Sequence, residues 1–84
     1  MKPRKPYSPW PGRMVVLSRA QMRVYRDLLA NEQIDTERLA RKTIDALCWA
    51  DLAYERDSGY LCLSTIGRKS TITNGNQVLL WEPK

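Results

Sequence analysis

Residues 43–68, TIDALCWADLAYERDSGYLCLSTIGR, decide the fold. Up to Ala50 the apolar residues Ile44, Leu47 and Cys48 recur at three- and four-residue spacing, which predicts a helix with one apolar face. From Leu52 to Arg56 the pattern becomes an alternation, Asp57-Ser58-Gly59 supplies turn residues, and Tyr60 to Leu63 returns with Leu61 and Leu63 pointing one way. A helix followed at once by a hairpin is the predicted arrangement. Asp51 stands at the junction, where a residue tolerant of left-handed backbone is needed to end the helix.

Working outward toward the N-terminus, Arg38, Arg41, Lys42 and Asp45 fall away from that apolar face, Thr43 sits near the polar side, and Ala40 lies on the core side. Asp35 or Thr36 caps a short helix over Glu37–Ala40, either a single turn or continuous with the next helix. Farther back, Ser18 and Gln21 form a capping box for a first helix from Arg19 to about Asn31, with Met22, Tyr25, Leu28 and Leu29 on its core face. The opposite face, with Arg19, Arg23, Arg26 and Asp27, reads as solvated surface.

Toward the C-terminus, Ser70–Thr73 and Asn76–Trp81 flank Asn74-Gly75, a signal for a type I′ hairpin because both residues tolerate positive φ. The apolar run Val78-Leu79-Leu80-Trp81 is predicted to pair with Met14-Val15-Val16-Leu17, closing the two ends of the domain together.

Residues 1–13, MKPRKPYSPWPGR, have prolines at positions 3, 6, 9 and 11, which favour extended, polyproline-II-like backbone. Lys2, Arg4, Lys5 and Arg13 make this arm cationic, with Tyr7 and Trp10 interleaved. Such a strip suits a nucleic-acid groove; packing of Trp10 on the domain, or docking of the prolines in an aromatic-lined groove of a protein partner, are the alternatives.

The net charge of +5 points to an anionic partner, but the surplus is in the ends. Residues 1–13 carry four bases and no acid, residues 14–57 seven bases against eight acids, and residues 58–84 three bases against one acid.

Eighty-four residues allow one domain, here over residues 14–84, with a small core. No apolar run is long enough to span a bilayer and no leader-type apolar segment follows the basic N-terminus, so a cytoplasmic protein is expected. Cys48 and Cys62 read as reduced thiols, and the lack of histidine leaves few ligands for a metal and removes the commonest general base. Neither catalysis nor a cofactor is expected.

In order and spacing these motifs resemble the compact winged helix-turn-helix domains of bacterial and phage regulators. The resemblance covers about residues 17–68: Leu17-Ser18-Arg19-Ala20-Gln21 opens the first helix, Thr43-Ile44-Asp45-Ala46-Leu47 forms the recognition helix, Leu52-Ala53 follows it, and Tyr60 to Arg68 closes the wing. The chain departs from the pattern in three places. Asp51 replaces the glycine that usually ends the recognition helix, Trp49 and Ala50 replace basic or polar residues, and a hairpin follows Gly67-Arg68 where the family often has another helix.

The resemblance implies an α+β winged helix with about three helices and a hairpin wing. It implies double-stranded DNA as partner, with Arg38, Arg41, Lys42 and Asp45 at the major groove and Arg56, Ser58 and Tyr60 of the wing on the backbone, helped by Lys2, Arg4, Lys5 and Arg13 of the arm. A small phage or mobile-element regulator is the function expected. The alternative is a protein-interaction module that binds and inhibits or recruits a host protein. Trp49 and Trp10 are its candidate contacts, although Trp49 also suits packing under the arm or the second hairpin.

Overall fold

A computed structural model describes residues 13–81. The described chain is α+β. Its elements run β1 (Met14–Val16), α1 (Arg19–Asn31), β2 (Gln33–Asp35), a single 3-10 turn (Thr36–Arg38), α2 (Arg41–Trp49), β3 (Ala53–Glu55), β4 (Tyr60–Leu63), α3 (Thr65–Lys69), β5 (Thr71–Asn74) and β6 (Gln77–Leu79).

The capping box read from the sequence starts α1. Ser18 is extended, its Oγ accepts from the Gln21 amide at 3.1 Å, and Gln21 Oε1 accepts from the Ser18 amide at 2.9 Å. Two of the helix's free amide donors are thereby satisfied. The helix ends at Glu32, which takes a left-handed conformation at φ 72° while its amide donates to Leu28 O at 2.7 Å. Arg68 of α3 reaches back to the Glu32 carboxylate at 3.1 Å, and this hydrogen bond holds that carboxyl below its usual range.

Two antiparallel three-stranded sheets result, in the orders β1-β6-β5 and β2-β4-β3. The first joins the chain ends as the sequence implied, with Met14 opposite Leu79 and Val16 opposite Gln77. In the second, β4 is central: Ile34 of β2 and Glu55 of β3 both lie opposite Leu61. Cys62 is buried together with Leu61 and Leu63, although alternation alone would turn it outward; Gln33 of β2 and Tyr54 of β3 stand directly opposite it on either side.

The core lies where both sheets meet the helices. Tyr25, Leu28, Ile44, Leu47, Leu52, Leu61 and Val78 are fully buried, and they come from α1, α2, the link after α2, β4 and β6. Each such side chain contributes roughly 1.5–3 kcal/mol of burial, so the five segments are held by one cluster rather than by their intrinsic propensities.

Several sequence expectations need correction. The helix over Glu37–Ala40 is a single 3-10 turn over Thr36–Arg38, capped by the Asp35 carboxylate on the Glu37 amide at 2.9 Å, so Arg38 precedes α2 rather than lying on it. Ala40 is the exposed N-cap residue of α2, and Leu39 packs against the core in its place. Thr43 is only 8% exposed, because the inner face of α2 extends to its first turn. Leu29, expected in the core, is 39% exposed near the end of α1, while Val24 is buried.

In the second hairpin the two turn residues are Gly75 and Asn76, one position later than expected. Gly75 alone has positive φ, at 54°, and the pairing register slips between Ile72 and Asn74, so the irregular strand absorbs the extra residue. Finally, Thr65–Lys69 forms the helix α3, which strand alternation and turn chemistry did not indicate.

Candidate nucleic-acid interface

Two ties gather the residues in question at one corner of the fold. At the first, Gly59 O in the β3–β4 turn accepts from the Thr36 amide and the Thr36 hydroxyl, both at 3.0 Å, fixing the hairpin tip to the 3-10 turn that carries Arg38. At the second, Arg41 in the first turn of α2 forms a bidentate pair with Glu55 at the end of β3: Nη2 lies 2.6 Å from Oε1 and Nη1 2.9 Å from Oε2. Arg41 also donates through Nε to Asp45, one turn along the helix, at 3.1 Å.

These two acids raise the Arg41 pKa above its ordinary value, and the hydrogen bond from Arg41 holds Glu55 below the usual carboxylate range. Glu55 therefore keeps its charge, and the tie persists, to a lower pH than an unpaired glutamate would allow. With both ends of its guanidinium occupied, Arg41 holds the helix against the hairpin and is not free to bridge a base. Asp45, expected beside DNA, is a partner of that pair.

Around this corner Arg38, Lys42 and Arg56 are exposed and form no ion pair among the described residues. Arg38 and Tyr60 line a shared groove of about 680 Å³ with Asp27, Asn31 and Asp35, so its rim is mixed in charge. Ser58 is an exposed residue of the β3–β4 turn, and Gly59 allows that turn through a φ of 90°.

Arg13 lies apart from this corner. It pairs with Asp51 at 3.2 Å, just after α2, where Asp51 adopts the left-handed conformation expected of it, at φ 67°. Lys2, Arg4, Lys5 and Trp10 lie outside the described residues.

Trp49, the last residue of α2, is 80% exposed and so does not pack beneath the second hairpin. It borders an open groove of about 560 Å³ lined by Val15, Val16, Leu17, Ala46 and Ala50, and Val16 is itself 65% exposed. Among the described residues no group of three or more His, Cys, Asp or Glu side chains could hold a metal ion, and no helix is long and apolar enough to cross a membrane. Both cysteines are free thiols, and burial raises the pKa of Cys48.

One group of cations lies beyond the residues that the sequence pattern marked for binding. Arg19, Arg23 and Arg26, which read as solvated surface, line a groove against the β5–β6 turn. Their spacing was visible in the sequence; the turn that faces them was not.

The chain matches no protein-family profile, no curated protein and no solved structure.

Proposed function

We propose that this chain is a DNA-binding protein of the winged helix-turn-helix type, a small regulator of the phage or mobile-element kind. In this reading α2 enters the major groove and the β3–β4 hairpin is the wing. The element order supports it: helix, strand, turn, helix, hairpin, with the early strand β2 completing the hairpin's sheet as β2-β4-β3. The observation that carries the reading is the corner where Arg41–Glu55 and Thr36–Gly59 fix the hairpin to the helix and the turn before it. Arg38, Lys42 and Arg56 are left unpaired around a rigid frame, as a phosphate-gripping surface requires.

Binding of a labelled random duplex, followed by fluorescence anisotropy across a salt series, tests this. Affinity is expected to fall steeply with salt, and the triple change Arg38→Ala, Lys42→Ala, Arg56→Ala to flatten the log–log slope by about 0.9 for each phosphate no longer neutralised. Failure of the wild-type protein to bind any duplex at low salt rejects the proposal.

Glu55→Gln gives a second, opposite expectation. It removes an acid from the corner and leaves Arg41 paired with Asp45 alone, with the Nη1 edge of its guanidinium open, while an exposed pair of this kind contributes little to stability. Duplex binding should tighten, and its salt slope steepen by about 0.9, as one further neutralised phosphate requires. Weaker binding would mean that the fixed position of the hairpin matters more than the freed charge.

A second reading has one specific observation in its favour. An exposed tryptophan beside Val16 and the groove between β1 and α2 suits a protein partner, because tryptophan concentrates binding energy where it can be desolvated. Under that reading Trp49→Ala abolishes partner binding and leaves duplex affinity untouched.

A further inference from the structure

We infer that the groove between α1 and the β5–β6 turn is a binding track for a phosphodiester backbone, separate from α2 and the wing. The inference shares with the proposed function only the class of partner, nucleic acid. The groove measures about 550 Å³ and is lined by Arg19, Met22, Arg23, Arg26 and Asp27 of α1 and by Gly75 and Asn76 of the turn.

The arrangement of charge is the first argument. At 100° per residue, Arg19, Arg23 and Arg26 fall within an arc of about 60° on the helix surface. All three are exposed, and none forms an ion pair among the described residues. Three of the other described arginines are paired, Arg13 with Asp51, Arg41 with Asp45 and Glu55, and Arg68 with Glu32, whereas Arg38 and Arg56 are not. Around this groove three neighbouring arginines share a single lining acid, Asp27, and among the described residues none of them pairs with it.

Local stability does not explain this placement. Arg19 is the first residue of α1, where the helix dipole disfavours a cation, and the first turn contains no acid to offset it. Arg19 and Arg23 are also like charges four residues apart, an arrangement that weakens a helix. A sequence that caps α1 with a full capping box and then loads the same end with repelling cations serves something other than the helix.

The shape selects the ligand. Arg19 to Arg26 spans roughly 10 Å of helix axis, about three of the roughly 3.4 Å steps by which successive phosphates of one duplex strand advance along theirs, so each of the three guanidinium groups has a different phosphate of one run to meet. A single small anion would need them converging on one point. The opposite wall is Gly75, which has no side chain, and Asn76, with open space around Gly75, so a chain can pass through the groove rather than end in it. With the three guanidinium groups on phosphates, binding along the track is independent of sequence.

The test compares wild-type protein with the triple variant Arg19→Ala, Arg23→Ala, Arg26→Ala and with Asp27→Asn, using a random duplex of about 20 base pairs over a salt series. All four positions are exposed, and alanine is the best helix former, so α1 persists, as circular dichroism will show. The triple variant should bind at least roughly tenfold more weakly at moderate salt and lose about two to three units of slope, equally for every duplex sequence tried. Asp27→Asn should bind more tightly than wild type.

An unchanged slope in the triple variant, with wild-type protein binding normally, overturns the inference. If the α1 variant loses affinity while Arg38→Ala, Lys42→Ala, Arg56→Ala does not, the track stands and the α2–wing reading falls; the converse result removes the track alone. Absence of duplex binding by wild-type protein at low salt rejects both.

Discussion

Gly67→Ala is expected to unfold most of the domain at room temperature. Two effects oppose each other at this position. Gly67 lies inside α3, where alanine is intrinsically preferred by roughly 1 kcal/mol. Against that, a Cβ at Gly67 would sit 2.1 Å from the Leu52 carbonyl oxygen, 2.9 Å from its carbon and 3.0 Å from Leu63 Cδ1. The nearest obstacle is backbone, which no rotamer change relieves.

Backbone movement at either side is opposed by a chain of hydrogen bonds. Leu52 O accepts from the Ser64 amide at 3.1 Å, and the Ser64 hydroxyl donates to Asp51 O at 2.6 Å and accepts from the Gly67 amide at 2.8 Å. Leu52 itself is fully buried, directly after the left-handed Asp51. Overpacking a core costs typically 1–3 kcal/mol and more where backbone must shift, and each buried polar group left without a partner adds about 1–3 kcal/mol. The sum exceeds the propensity gain several-fold and approaches a total stability on the order of 5–10 kcal/mol.

Gly75→Ala serves as the comparison. It is strained by a φ of 54° but meets nothing within 4 Å, so it should lower stability only modestly. Urea denaturation of the two variants checks this, and a Gly67→Ala midpoint close to that of wild type would show that α3 does not press on Leu52.

Gly67 also marks the limit of what the sequence disclosed. The resemblance places Gly67-Arg68 at the end of its pattern, yet the reason for the glycine is the close approach of Leu52, fifteen residues earlier and outside α3. Local signals were legible where their physics is local. Ser18 and Gln21 cap α1, Asp51 takes the left-handed turn, and Asn74-Gly75 announces a hairpin, although its turn settles one residue later. The pairing of the Met14–Leu17 run with the Val78–Trp81 run was also legible, though the second strand is Gln77–Leu79, because two short apolar runs at opposite ends of the domain had few other places to be buried.

The candidate site was less legible, because charge in a sequence carries no information on which cations are already paired. Arg41 was the natural choice for a base contact by its place at the start of α2. Glu55, fourteen residues on, occupies it, and only the fold of the hairpin onto the helix brings the two together. Lys42 and Arg56, adjacent to these two residues in sequence, remain unpaired, so the frame and the cations it presents alternate along the chain. Trp49 shows the same limit from the apolar side: its packing under the second hairpin was the economical expectation, and it stands exposed beside Val15 and Val16 of β1 instead.

Tyr25→Phe is expected to destabilise the protein near neutral pH and to make it less sensitive to alkali. Tyr25 is 0% exposed, and its hydroxyl donates to Gly67 O at 2.7 Å. That carbonyl lies in the last turn of α3, where helix carbonyls lack internal partners, so the phenol of α1 completes a helix of only five residues. Phenylalanine keeps the packing but strands the carbonyl, which costs about 1–3 kcal/mol.

Burial of Tyr25 pushes its pKa up to about 12, from an unfolded value near 10. The neutral phenol is thus favoured in the fold, and its contribution is fully present below pH 10 and lost as pH rises from there toward 12. The corresponding loss is on the order of 3 kcal/mol. Phenylalanine has no proton to lose, so the stability difference between wild type and variant should narrow above pH 10 and close or reverse near pH 12. Urea denaturation of both proteins from neutral pH into this range measures it. Stability curves that stay parallel throughout would show that the Tyr25 phenol is not held neutral against Gly67, and that α3 is anchored by Ser64 and core packing alone.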